Sequence, residues 1–131
     1  MNGASANVDS RAAHLREELL EATSYYSADY FSARERFLAA STRLSLEHHA
    51  LQIHAPSPNS EPLTIDITVA GAAKPRSAIV LSSGVHGVEG LFGSAVQSAF
   101  LEQRSPDWQP PKDAASVAAQ VPEASVACGG G

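Results

Sequence analysis

Cysteine, large apolar side chains and basic charge are all scarce in this sequence, and each scarcity removes a class of protein. The one cysteine, Cys128, stands three residues from the end, so no internal disulfide can form and it is read as an incidental free thiol. The longest strictly aliphatic run is Ala78-Ile79-Val80-Leu81, far short of the ~20 residues a membrane helix needs. The opening Met1-Asn2-Gly3-Ala4-Ser5 has neither the basic nor the apolar region of a secretory leader. Lys and Arg number 9 against 14 Asp and Glu, a net charge of −5. No basic cluster is present to neutralise phosphates, which argues against a nucleic-acid partner. A soluble cytoplasmic protein without membrane contact is expected.

Of the 131 residues, 44% are hydrophobic, but 23 of them are alanine. Leu, Ile, Val and Phe together number 28, only just above the level (roughly 20%) at which a chain fails to build a core. One domain with a small core is the most this length allows.

Residues 1–10 are small and polar and read as a flexible lead-in. From Asp9 to Ala22 the pattern turns helical, with Leu15, Leu19 and Leu20 on one face. A second helix opens at Ser32-x-x-Glu35, a capping box, and continues through Ala33, Phe37, Ala40 and Leu44. A strand is expected near 46–54. It is followed by the turn-rich Ala55-Pro56-Ser57-Pro58-Asn59-Ser60 and by a clear strand over 62–70. There Leu63, Ile65, Ile67 and Val69 alternate with Thr64, Asp66 and Thr68, which predicts one buried apolar face and one wet face. Residues 77–82 form a short apolar run of the kind found in central parallel strands. A helix to Arg104 follows, and its stripe Phe92, Val96 and Phe100 is expected to be core. Residues 105–131, with four prolines, six alanines and a terminal Gly129-Gly130-Gly131, read as a low-complexity, disordered tail. The fold class is α/β.

Chemistry concentrates at Ser83-Gly84-Val85-His86-Gly87-Val88-Glu89-Gly90, the turn between the apolar strand and the last helix. Function in α/β proteins collects in the crevice at the carboxyl end of such strands. An imidazole and a carboxylate three residues apart at this turn, His86 and Glu89, can converge on one metal ion, and the flanking glycines permit close approach. The plainer alternative is a solvated turn whose carboxylate is favoured by the helix macrodipole. His48, His49 and His54 could in principle donate a third ligand, although such residues more often line a half-exposed strand. The glycines at 84, 87, 90 and 93 do not make the dinucleotide-binding pattern. Ser82, Ser83 and Ser94 do not make a nucleophile elbow.

The stretch Ala78-Ile79-Val80-Leu81-Ser82-Ser83-Gly84-Val85-His86-Gly87-Val88-Glu89-Gly90-Leu91-Phe92-Gly93-Ser94-Ala95-Val96-Gln97 resembles the zinc-site segment of a mostly bacterial, uncharacterised family in the zinc-carboxypeptidase clan of metallopeptidases. Tyr30-Phe31-Ser32-Ala33-Arg34-Glu35-Arg36-Phe37-Leu38 and Glu61-Pro62-Leu63-Thr64-Ile65-Asp66-Ile67 resemble that family's N-terminal portion, so the likeness covers roughly residues 25–104. The resemblance implies a zinc-dependent hydrolase of peptides or acyl-amides, with His86 and Glu89 as the first two zinc ligands. It also implies a third ligand, a histidine, and a general-base glutamate, both further downstream. Of the 42 residues after Glu89, none is histidine. Residues 11–104 are therefore expected to be a partial domain, the truncated N-terminal portion of a zinc-carboxypeptidase-like mixed sheet with flanking helices, inactive by itself. A catalytic residue cannot be assigned. The alternative from a different class is a non-catalytic remnant or interaction module, which self-associates through an exposed sheet edge and an uncovered apolar stripe.

Overall fold

The structure, a computed structural model, describes residues 3–85 and 89–122. In chain order it contains α1 (Gly3–Ser24), α2 (Tyr30–Arg43), β1 (Glu47–Ile53), β2 (Leu63–Gly71), β3 (Ser77–Ser83), α3 (Gly90–Glu102) and β4 (Ala114–Gln120). The strands form one mixed sheet in the order β1-β2-β4-β3. β2 is antiparallel to both of its neighbours, while β3 and β4 run parallel. The α/β class and the positions of the two strands β1 and β2 thus match the sequence reading. No described helix is long and apolar enough to cross a membrane.

α1 begins at Gly3, inside the segment expected to be a loose lead-in, and Leu15, Leu19 and Leu20 on it are exposed. The N-cap of α2 lies three residues before the one expected from the capping box. It is Asp29, in extended backbone, whose carboxylate accepts the Ser32 N–H at 2.8 Å. Aspartate is as good an N-cap as serine, and its charge also suits the positive end of the helix. The helix buries Tyr30, Ala33, Phe37, Ala40 and Ser41, a stripe at helical spacing. Its Phe37 and Ala40, with the C-cap residue Leu44, meet Leu101 of α3 and Ala118 of β4 in the core. Arg43 joins the two helices by donating from Nη2 to the Leu101 carbonyl at 2.9 Å and from Nη1 to that of Arg104 at 2.9 Å. That satisfies carbonyls which the end of α3 leaves without helical partners.

β2 is where the sequence predicts it, but its faces are reversed. After Leu63, the buried positions are Asp66, Thr68 and Ala70, while Ile65, Ile67 and Val69 are half-exposed on the other side. The reversal is sustained because α2 and β1 bring polar partners to Asp66. α3 repeats the pattern. It turns Ser94, Ala95, Gln97, Ser98 and Leu101 inward and leaves Phe92 and Val96 exposed, so two of the three residues expected in the core lie outside it. Phe100 is half-buried, stacked edge-on against Trp108 with Arg104 4.4 Å above its ring.

β3 pairs parallel as expected, but as an edge strand rather than a central one, with Ile79 67% and Val80 64% exposed. The central place belongs to β4, which comes from the segment read as a disordered tail. Its alanines and serine carry little strand propensity. Pairing on both edges and burial of Ala115, Ala118 and Gln120 decide its conformation instead. Gly71 makes the packing feasible at φ +105°, where a Cβ would come 2.4 Å from the Ala114 carbonyl oxygen. The rest of the expected tail, residues 123–131, lies outside the described residues.

Candidate functional site

β3 and β4 end together. Ser83 pairs with Gln120, and Gln120 pairs in turn with Asp66 on β2, so these three side chains form one row on the face that carries α2 and α3. At the end of that row the chain leaves β3 through Gly84, at φ +79°, where a Cβ would sit 1.8 Å from the Val121 carbonyl oxygen. Only glycine fits there. The Val121 N–H donates to the Ser83 carbonyl at 2.9 Å and closes the strand pair behind the turn. A Cβ on Gly93 would lie 2.9 Å from that of Ser83, so this second glycine lets α3 descend onto the end of β3.

Gln97 fixes the descent from inside. Its Nε2 donates to the Leu81 carbonyl and to the Ala119 carbonyl, each at 2.9 Å, and its Oε1 accepts the Ser83 hydroxyl at 3.1 Å. One buried amide thus ties α3 to both parallel strands, immediately before the turn.

Glu89 occupies the N-cap position of α3 with helical φ and ψ, and among the described residues its side chain caps no backbone N–H. It lines an open cleft of about 390 Å³ together with Ser82, Gly84, Val85 and Phe92. His86, the other residue singled out from the sequence, lies outside the described residues, as do Gly87 and Val88. Among the described residues, no group of three His, Cys, Asp or Glu side chains could hold a metal ion. His48 and His49 cannot join Glu89. They sit on β1, three strand spacings across the sheet from β3, about 14 Å at about 4.8 Å each. Each is also engaged locally, His48 Nε2 with Asp66 at 2.8 Å and His49 Nε2 with Glu47 at 2.9 Å. His54 directly follows β1, at the same far edge.

A second polar centre was not anticipated. Asp66 is fully buried, and its Oδ2 accepts from Arg34 Nε at 2.6 Å and from the Thr64 hydroxyl at 2.6 Å. Its Oδ1 accepts from Arg34 Nη2 at 3.2 Å and contacts His48 Nε2 at 2.8 Å. Burial alone would push this carboxyl up. The hydrogen bonds from Arg34, Thr64 and His48, with the Arg34 charge, outweigh that effect and hold it below the ordinary carboxylate range. Tyr30 completes the centre, donating to the Thr64 carbonyl at 2.7 Å and accepting the Thr64 N–H at 3.1 Å. Every oxygen of Asp66 is committed, so the cluster clamps α2 to β2 and has no open position for a reacting group. The available signal was a single acid amid the apolar residues of β2, matched by Arg34 one turn after the buried Tyr30.

The model of a protein family described as a protein of unknown function (DUF2817) matches residues 26–117. That match spans the Asp66 clamp and the β3–α3 turn and runs into β4. No curated protein matches the chain.

Proposed function

The chain belongs to the DUF2817 family, and from that premise we propose that its β3–α3 turn presents His86 and Glu89 as two ligands of a zinc-carboxypeptidase-like metallohydrolase site. The observation carrying this reading is the position of Glu89, at the carboxyl end of a parallel strand, lining a cleft and free of a capping role among the described residues. Three residues before it in sequence stands an imidazole. The donor types suit zinc, which takes His nitrogen and carboxylate oxygen at about 2.0–2.2 Å.

The donor count supplies two of the three protein ligands that a catalytic site uses beside its open position. When bound, zinc polarises an amide carbonyl and lowers the pKa of its water toward about 7. The matching substrate class is a peptide or an acyl-amide. Two ligands alone bind zinc weakly, and tight binding calls for a third ligand from another segment or chain. Equilibrium dialysis against zinc tests the proposal. The wild-type chain should take up about one ion, and a His86→Ala/Glu89→Ala variant should lose that uptake. Equal uptake by the folded variant would contradict the assignment.

A second reading, from a different class, is favoured by the exposure of Ile79 and Val80 on β3 and of Phe92 and Val96 on α3. Parallel strands are usually covered, and edge strands are usually guarded by charge or proline. β3 has neither between Ser77 and Ser83. The occupant that fits is a second copy. Two β3 strands can pair antiparallel about a two-fold axis, because an isologous contact asks a surface only to complement itself. Seven residues give an edge about 23 Å long at about 3.3 Å per residue. Light scattering should then report a dimer that Val80→Lys converts to a monomer. A wild-type monomer that binds no anilinonaphthalene sulfonate dye would contradict the reading.

A further inference from the structure

At the first turn of α3 lies a small pocket whose walls include Tyr30, Ser83, Gly90, Leu91, Ser94 and Gln120. Gln120 is 2% exposed, and among the described residues its Oε1 has no hydrogen-bond partner. Buried amide oxygens are rarely left in that state, because an unpaired one retains the full cost of leaving water. The pocket measures about 10 Å³. That is about the space one water centre needs, roughly 10–15 Å³, and too little for any larger ligand.

The walls also offer partners. Ser83 spends its hydroxyl proton on Gln97, which leaves its oxygen able to accept. α3 has no side-chain N-cap among the described residues, and its first internal hydrogen bond runs from the Gly93 N–H to the Glu89 carbonyl at 3.1 Å. The N–H groups of Gly90 and Leu91 precede that bond and have no partner inside the helix.

We infer that a single structural water occupies this pocket, donating to Gln120 Oε1 and to Ser83 Oγ and accepting from a first-turn N–H of α3. It joins β4, β3 and α3 one residue before Gly84 and so holds the turn that carries Glu89 from beneath. This hydration site is independent of the zinc reading, because it requires neither His86 nor a metal.

A high-resolution crystal structure of the full chain tests it directly. A density peak about 2.7–3.2 Å from Gln120 Oε1 is expected, and it should be absent in Gln120→Met, which keeps the side-chain length and removes the acceptor. An empty pocket, or Gln120 turned onto a protein donor, would overturn the inference. Thermal melting gives a second, independent readout through the sign of its shift. Removing an oxygen already satisfied by water lowers Tm, whereas removing one that was never satisfied raises it. If Gln120→Met does not fold, a water-to-amide cross-relaxation peak at Gly90 or Leu91 in the wild-type chain serves instead, and its absence from an otherwise folded spectrum counts against the water.

Discussion

Replacing Arg34 by methionine should destabilise this protein strongly, because it strands the buried carboxylate that α2 clamps. Asp66 is fully buried, and Arg34, 30% exposed, gives its carboxylate two hydrogen bonds and a full positive charge. Removing one partner of a buried pair costs about 3–5 kcal/mol, because the other charge stays buried and uncompensated. Here Thr64 and His48 still reach the carboxylate, and the guanidinium is partly screened by solvent, so about 2–3 kcal/mol is expected. A change of that size is a large share of a total stability of about 5–15 kcal/mol. It lowers Tm by about 10–15 °C for a domain of roughly 100 residues. Urea denaturation followed by far-ultraviolet circular dichroism measures it. The double variant Arg34→Met/Asp66→Leu should regain most of the loss, since an apolar pair leaves no stranded charge. A single variant within about 0.5 kcal/mol of wild type, or a double variant no more stable than the single, would refute the clamp. The acid limb supplies a further check. The folded carboxyl titrates below its unfolded counterpart, so its stabilisation is present above the ordinary carboxylate range and is lost as pH falls through the lowered folded value. Arg34→Met raises that folded value and moves the loss to higher pH.

Other perturbations probe the scaffold around the site. Asp29→Ala removes the carboxylate that caps α2 and should cost about 1 kcal/mol, measured by the same denaturation curves; an unchanged midpoint would mean another group caps the helix. Gly84→Ala should cost at least about 2 kcal/mol, because both the positive φ and the 1.8 Å approach to the Val121 oxygen must be relieved. Wild-type stability in that variant would mean the β3–α3 turn is not held as described. Gln97→Leu strips three hydrogen bonds from the ends of β3 and β4. It should speed amide exchange at Val121 and Ser83 more than at β1, and uniform exchange across the sheet would deny Gln97 that role.

Elements were legible in the sequence where local pattern and tertiary environment agree. Alternation marked β2, and the small and apolar residues of α2 recur at helical spacing. The apolar run of β3, followed by glycines and a helix, marked the turn that carries Glu89. Faces were less legible than elements. The large side chains Ile65, Ile67, Phe92 and Val96 are the obvious core candidates, yet the layer between sheet and helices holds Asp66, Thr68, Ser83, Ser94, Gln97, Ser98 and Gln120. A polar residue can be assigned to that layer only when its partners are known. Arg34, His48 and Thr64 lie 32, 18 and 2 residues from Asp66 in sequence. β4 was hidden for a related reason. Ala114–Gln120 has neither alternation nor β-branched density, and its conformation comes from the two strands that flank it. The N-cap of α2 was missed by three residues because Ser32-x-x-Glu35 matches the capping box and Asp29-x-x-Ser32 does not, yet the extended backbone falls at Asp29.

The outward-facing apolar residues bear on both functional readings. Whatever covers β3 also borders the cleft at Glu89, since Ser82 and Phe92 line that cleft and flank the exposed edge and helix face. A second chain on this edge is therefore also a candidate source of the ligand that completes the zinc site.

The most direct measurement is a zinc titration followed through the ring nitrogens of the five histidines in a ¹⁵N-labelled sample. The account predicts that the His86 resonances move and saturate, while those of His14, His48, His49 and His54 stay in place, and that Glu89→Ala abolishes the movement. Shifts confined to any of the other four histidines, with His86 unmoved, would contradict the proposal that the β3–α3 turn is a metal site.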